Sequence, residues 1–450
     1  MGRTGLDHRA PDDLERSRGR DRMRRTRTRL CGVAATTLLA AVGAGLFVPS
    51  APADPGDPED RQRAVAAPRP VIWDRDFGDP SVVHDGTRWF GAATGWRART
   101  SISTLDHGGW LRTGDLLNTR PAWARFAGVW APEVEKAPDG SWLAYYTMPV
   151  KGMPHAEDRC IGVAVAPSLD AKFTPLGSRP LVCPSYAPTE PAGDQVAGRA
   201  PELPQRGVID PSSYIAADGR RFLLYRTQGT PSTIRMVRLS PNGRYAVRRS
   251  RELLRDPGVL ENPTLVKDRG WHYLMTSKGA YSDCRYRTVW RRSRWWHKGW
   301  EEVRSHVLLN RQRTGVCGPG GADYVPPTAG AGNRLFFHGW VCKGTNLPCY
   351  QSYQGQQDYE DVGKRALYAV RLRWRMDGPS IAAFVQGPPW TPPPPTPTPT
   401  PTTTPSPTPT PTTTPSPTPT PTTTPSPTPT PTPTETTSPP TTSPTPAPSP

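Results

Sequence analysis

Several things are missing from this sequence, and each absence removes a class of protein. Outside one segment near the N-terminus, no stretch repeats apolar residues at helical spacing, which argues against a helical bundle or a helix-covered parallel sheet. No Cys-x-x-Cys pair and no Cys/His cluster has metal-ligand spacing, so a zinc module is not expected. No apolar anchor or sorting segment follows the last globular stretch, so no membrane span is expected there. Acidic residues are scarce relative to basic ones: 39 Asp and Glu against 56 Lys and Arg, a formal charge of +17. Such an excess fits nucleic acid or an acidic polymer. The arginines, however, are scattered over strand-like segments. The one dense patch, Arg291-Arg292-Ser293-Arg294 beside Trp295 and Trp296, reads as a solvent-facing outer strand. Nucleic-acid readout is therefore not expected, and association with an anionic cell wall is the partner that the basic surface would fit.

The two ends differ from the middle. Residues 1–30 are arginine-rich, and residues 30–48 are almost wholly Ala, Val, Leu, Gly and Thr, ahead of a small-x-small site at Ala51-Pro52-Ala53. This reads as an export signal over 1–53, cleaved before Asp54, with a short linker over 54–70. Arg24-Arg25 hints at twin-arginine export without the fuller motif. From Pro388 to Pro450 the chain is a Pro/Thr/Ser repeat that cannot bury a core. It should be an extended, disordered polyproline II spacer, open to O-glycosylation. Past the signal, Cys160, Cys183, Cys284, Cys317, Cys342 and Cys349 remain, an even set in a chain bound for an oxidising compartment. Fifteen connectivities are open. Pairing neighbours in sequence favours Cys160 with Cys183 and Cys342 with Cys349, which leaves Cys284 with Cys317.

The middle, 71–387, is organised by a recurring shape first seen from Phe77 to Thr94: a short strand opening at an acid-Pro pair, a turn at Asp85-Gly86, then an aromatic strand. Similar segments start at Trp130-Ala131-Pro132-Glu133, Ile209-Asp210-Pro211, Glu261-Asn262-Pro263 and Asp323-Tyr324-Val325. Hairpins repeated at this spacing signal a propeller with one sheet per repeat. The Asp-Gly pairs read as type I′ hairpin turns. Five units of about 60 residues each suffice for four strands apiece. An all-β, five-bladed β-propeller is therefore expected, as a monomer. The Pro- and Gly-rich excursion from Val182 to Arg206 reads as a surface loop walling one side of a cleft.

In a propeller the innermost strands line the axis, so their first residues converge. That brings Asp79, Asp210 and Glu261 toward one funnel. Three carboxylates around a sugar-sized hole suit glycosidic hydrolysis, where one must be protonated to release the leaving oxygen and another ionised to activate water. The plainer alternative is that Asp-Pro and Glu-Asn-Pro are turn starters that recur with the blades.

A wider set of segments resembles glycoside hydrolase family 43, secreted arabinan- and xylan-degrading propeller enzymes. They are Asp79-Pro80-Ser81-Val82-Val83, Val129-Trp130-Ala131-Pro132-Glu133, Ile209-Asp210-Pro211-Ser212, Glu261-Asn262-Pro263-Thr264, Gly318-Pro319-Gly320-Gly321, Phe337-His338-Gly339-Trp340 and Arg365-Ala366-Leu367-Tyr368. The resemblance implies an inverting glycosidase acting on arabinose- or xylose-containing plant polysaccharide, with Asp79 as general base, Glu261 as general acid and Asp210 raising and orienting the acid. It also brings Trp130 and His338 to the channel mouth as substrate-binding residues. Trp96, Tyr281 and the Trp295-Trp296 pair are expected to be packing or surface residues. Many relatives carry a histidine after Gly-Pro-Gly that helps hold a central ion; here that position is Gly321, so a structural calcium is not carried over and no cofactor is expected. The alternative reading is a non-catalytic carbohydrate-binding propeller displayed at the cell surface.

Overall fold

The computed structural model describes residues 68–187, 203–247, 249–327, 332–350, 362–389 and 391. The export signal, the linker up to residue 67, most of the 182–206 excursion and nearly all of the 388–450 tail lie outside the described residues.

The repeats fold into five four-stranded antiparallel sheets, each built from four consecutive strands. Blade I is β1 (Ser81–His84), β2 (Trp89–Ala93), β3 (Arg99–Ser103) and β4 (Leu111–Asp115). Blade II is β5 (Trp130–Lys136), β6 (Trp142–Pro149), β7 (Arg159–Ala166) and β8 (Thr174–Pro175). Blade III is β9 (Val208–Ile215), β10 (Arg221–Thr227), β11 (Ser232–Arg238) and β12 (Arg251–Asp256). Blade IV is β13 (Leu260–Asp268), β14 (Trp271–Lys278), β15 (Arg287–Ser293) and β16 (His306–Leu309). A one-turn helix, α1 (Arg311–Thr314), leads into blade V: β17 (Cys317–Val325), β18 (Arg334–Cys342), β19 (Gly363–Arg375) and β20 (Gly378–Val385). The first strands touch in order around the axis, and β17 returns to β1. The chain is a five-bladed propeller.

Burial grades outward from the axis. Second strands are covered on both faces by neighbouring blades, so β10 (Arg-Phe-Leu-Leu-Tyr-Arg-Thr) is buried at every residue, whereas β4 at the rim is largely exposed. A strand covered on both faces needs a near-continuous apolar run, and a rim strand does not. Leu223, Leu224 and Tyr225 are fully buried, and burying a leucine stabilises by about 1.5–3 kcal/mol. A separate core fills each junction; between blades V and I it joins Phe77, Val82 and Trp89 to Phe336, Leu367 and Ala369. The segment before β1 runs beside β19, with Leu367 N–H donating to Ile72 O at 2.8 Å and Phe77 N–H to Arg365 O at 2.7 Å. Gly387 N–H donates to Arg69 O, so the two ends of the ring are bonded to each other.

The turn chemistry differs from the type I′ expectation. Among the described turns between first and second strands, only Arg269-Gly270 (φ 46° and 78°), after Asp268, has two successive left-handed residues. At the other three Asp-Gly turns the loop is longer and the aspartate carboxylate accepts from the backbone two residues on: Asp85 from Thr87 N–H, Asp139 from Ser141 N–H, Asp218 from Arg220 N–H. The side chain closes those turns, so only the glycine needs positive φ. Disulfides join Cys160 to Cys183, Cys284 to Cys317 and Cys342 to Cys349.

Candidate active site

One backbone irregularity, repeated in every blade, builds the site. Asp79, Ala131, Asp210, Asn262 and Gly321 all have left-handed backbone, with φ of 50°, 40°, 57°, 46° and 60°. Each lies in or just before a first strand, and four of the five precede a proline. Ladder register shifts at the same place in β5, β9, β13 and β17. A bulge of this kind re-aims side chains out of the pleat, and strained backbone of this kind concentrates at functional positions. Aspartate and asparagine tolerate the left-handed region best among non-glycine residues.

The bulge sorts the five acids that the sequence set in parallel. Asp79 and Asp210 occupy the left-handed position itself and Glu261 lies one residue before it, and these three line one cavity of about 450 Å³ at the channel mouth. Glu133 and Asp323 lie two residues beyond it and line a second cavity further along the channel. They tie blades together: Glu133 accepts from Ser213 N–H and Oγ–H at 2.8 Å each, and Asp323 accepts from Val82 N–H. Blade III thus gives the mouth Asp210, and blades I and IV give Asp79 and Glu261, while the equivalent positions of blades II and V, Ala131 and Gly321, carry no acid.

Asp79 is the most firmly held. Its Oδ2 accepts from Arg365 Nη1 and from Thr94 Oγ1, both at 2.8 Å, and Thr94 Oγ1 in turn accepts from Ala131 N–H. Gly78 is required, because a Cβ there would lie 1.9 Å from Arg365 Cζ. Burial alone would raise the Asp79 pKa, but Arg365 and the hydrogen bonds outweigh it and hold the carboxyl below its usual range. Asp79 is therefore ionised.

Asp210 and Glu261 behave oppositely. Burial, then the charge of Glu261, pushes Asp210 up to about 8, although its Oδ2 accepts from Asn262 N–H at 3.1 Å. Burial also raises Glu261, against the opposing effect of Arg226, which pairs with its Oε2. The two carboxyls thus hold a proton where isolated ones would have lost it. Tyr286 Oη lies 2.8 Å from Glu261 Oε1 and 2.7 Å from Asn262 Oδ1.

Of the two other sequence-predicted residues, Trp130 lines the cavity. Its ring is backed by Arg159, whose Cζ lies 3.4 Å from the ring centroid and whose Nη1 and Nη2 donate to Gly128 O and Glu157 Oε2. His338 does not line the cavity. It is fully buried beneath Asp79, with Nδ1 accepting from Asp79 N–H at 3.0 Å and its ring stacked on Tyr286. Burial lowers its pKa to about 4, so it is neutral with the proton on Nε2. A side chain with no exposed surface holds Asp79 rather than a sugar, so its placement argues against the substrate contact expected of it. Trp96 and Tyr281, read as packing or surface residues, both line the cavity, whereas Trp296 packs on Phe222 away from it. Sequence reasoning also passed over Arg226, Arg365, Thr94 and Tyr286. β10 carries two arginines, and the available signal for Arg226 was its place directly after the apolar run 222–225.

Among the described residues no three His, Cys, Asp or Glu side chains are grouped to hold a metal. His338 Nδ1 is already taken by Asp79 N–H, and a Cβ at Gly321 would lie 2.6 Å from that nitrogen, leaving no room for a side chain at that position. No step below is routed through an ion.

The propeller thus brings an arginine-held carboxylate, Asp79, and two carboxyls of raised pKa, Asp210 and Glu261, into one cavity. The sequence matches the family described as Glycosyl hydrolases family 43 over residues 68–379. The chain belongs to that family and is a glycosidase. No curated protein matches it. Among solved structures it resembles a thermostable family-43 glycoside hydrolase, at 18% identity and a TM-score of 0.52, covering 71% of this chain and 95% of that one. It also resembles an endo-1,4-β-xylanase from Bacteroides thetaiotaomicron (16%, TM-score 0.52, 71% and 99%). A Cellvibrio cellulosa α-L-arabinanase complexed with arabinohexaose is similar at 17%, TM-score 0.51, 68% and 96%. At these identities the likeness is one of fold.

Proposed function

We propose that this protein is an exported, inverting glycosidase acting on arabinose- or xylose-containing plant polysaccharide, arabinan or arabinoxylan above all. The observation that carries the mechanism is the opposed ionisation of Asp79 against Asp210 and Glu261 across one cavity. Asp79 takes a proton from water as that water attacks the anomeric carbon, while Glu261 gives its proton to the departing glycosidic oxygen on the other side. The products are a hemiacetal of inverted configuration and a free hydroxyl, and proton exchange with solvent resets both groups.

The hydrogen bonding of Tyr286 supports Glu261 as the acid. One hydroxyl proton faces two acceptors, Glu261 Oε1 and Asn262 Oδ1. A protonated Glu261 resolves this: its O–H donates to Tyr286, and Tyr286 donates to Asn262. Asp210, alongside, keeps the proton on the pair through mutual repulsion. The three disulfides of the described residues suit an oxidising compartment outside the cytoplasm. The named arabinanase and xylanase structures motivate the choice of sugars to test. The test is incubation of the purified protein with linear arabinan, arabinoxylan and aryl-glycosides, reading released sugar and, by NMR, the anomer first formed. Release of the inverted anomer is expected; retained configuration, or binding without release, would sink the reading.

A further inference from the structure

The described surface carries an aromatic pair that the catalytic chemistry does not use. Trp96, on the loop between β2 and β3, and Phe126, on the segment between β4 and β5, meet edge to face with centroids 4.5 Å apart. They are 45% and 75% exposed, a large apolar area to leave in water. They stand over a cavity of about 290 Å³ whose polar lining includes Thr119 and Arg120, with the Arg120 guanidinium 5.5 Å from the Phe126 ring. Trp96 lines this cavity and the catalytic one alike, so the two share a wall.

The pair is held in place by backbone. Gly95 and Val129 exchange two hydrogen bonds, Gly95 N–H to Val129 O at 2.9 Å and Val129 N–H to Gly95 O at 2.8 Å, clamping the Trp96 loop to the Phe126 segment. Arg97 and Ala98 are both left-handed, at φ 55° and 58°, and their carbonyls accept from Leu117 and Leu116 N–H. Two successive non-glycine residues in that region cost free energy and persist only where surrounding contacts fix them.

We infer that Trp96 and Phe126 form a distal subsite that takes further sugar units of the same polysaccharide chain whose scissile bond lies over Asp79 and Glu261. The occupant follows from continuity and chemistry. Trp96 is the wall common to this cavity and the catalytic one, sugar rings offer C–H faces to aromatic rings, and Thr119 and Arg120 can bond hydroxyl groups. An apolar wall with a few polar groups is what such a ligand needs. The inference rests on the polysaccharide reading above and adds that the enzyme reads length: chain substrates should outperform single-sugar glycosides.

The experiment compares wild type with Phe126→Ala in the full chain, on an aryl-monoglycoside and on linear arabino- and xylo-oligosaccharides of increasing length. Calorimetric titration with the longest oligomers runs in parallel. For wild type, kcat/KM should rise with length. Phe126→Ala should lower it for the longer oligomers by about tenfold, mainly through KM, with the aryl-glycoside nearly unchanged. Phe126 is too exposed for the change to threaten folding. Equal loss on all substrates, or no loss on any, would overturn the inference. If wild type cleaves nothing, the polysaccharide-hydrolase reading fails instead, and the titration decides the subsite: weaker oligomer binding by the variant supports it, while unchanged or absent binding removes it.

Discussion

The backbone N–H of Asp79 donates to Nδ1 of His338 at 3.0 Å, across the junction between blades I and V. That bond requires His338 to be neutral, and burial keeps it so. It also fixes the left-handed backbone that carries the Asp79 carboxylate. His338→Ala should therefore lower kcat by about 10²-fold with little change in KM, since misplacing a catalytic group costs rate rather than binding. A change in KM alone would mean that His338 meets substrate after all.

Glu261→Gln removes the transferable proton while keeping shape. Hydrolysis of natural linkages should fall by about 10²–10⁴-fold, whereas aryl-glycosides with good leaving groups should be much less affected. Asp79→Asn should suppress both substrate types alike. Steady-state kinetics on the two classes gives the comparison; equal sensitivity to leaving group in both variants would remove the assignment, and the opposite pattern would reverse it.

Arg365→Gln should move the acid limb of the activity profile upward. Burial acts to raise the Asp79 pKa, and Arg365 is the largest opposing influence. Without it the carboxylate takes up a proton at higher pH, so activity should fail earlier on acidification. An unmoved acid limb would show that the limb belongs to another group.

Stability should fall as pH rises between about 6.5 and 8. Burial raises Asp323 to about 7, and burial with Glu261 raises Asp210 to about 8. The folded state therefore retains protons that the unfolded chain has already lost, and the stabilisation present at low pH disappears as pH passes the folded values. His338 has the opposite sign, its folded pKa being depressed, but its effect is confined below the unfolded value of about 6.5. Thermal melting from pH 6.5 to 8.5 should show a declining Tm for wild type and a shallower decline for Asp323→Asn. A rising Tm over that range would contradict the assignment.

Chelation should leave both Tm and activity unchanged, because among the described residues no three His, Cys, Asp or Glu side chains are grouped to hold a metal and His338 Nδ1 is already engaged. A drop on EDTA treatment that calcium restores would show otherwise.

How much of this could be read along the chain follows from the range of the physics involved. Hairpins are local, so Asp-Gly turns, aromatic second strands and a recurring acid-Pro start announced five blades, and the cysteine pairs followed sequence proximity. The acids Asp79, Asp210 and Glu261 were legible because residues opening inner strands must converge on the axis. What their setting would be was not. The left-handed bulge separates Glu133 and Asp323 from those three by a shift of two or three residues, a displacement that the repeat spacing does not encode. Arg365 reaches Asp79 from 286 positions away, and His338 from 259. The family resemblance placed His338 at the channel mouth, yet packing against Tyr286 buries it entirely. Trp96 looked like surface until the Gly95–Val129 clamp set it on the rim of two cavities. The sequence by itself determined the repeat, and with it the fold and the identity of the acids, because those depend on neighbours in the chain. Which acid holds a proton depends on burial and on charges brought in from other blades, and only the closed ring decides that.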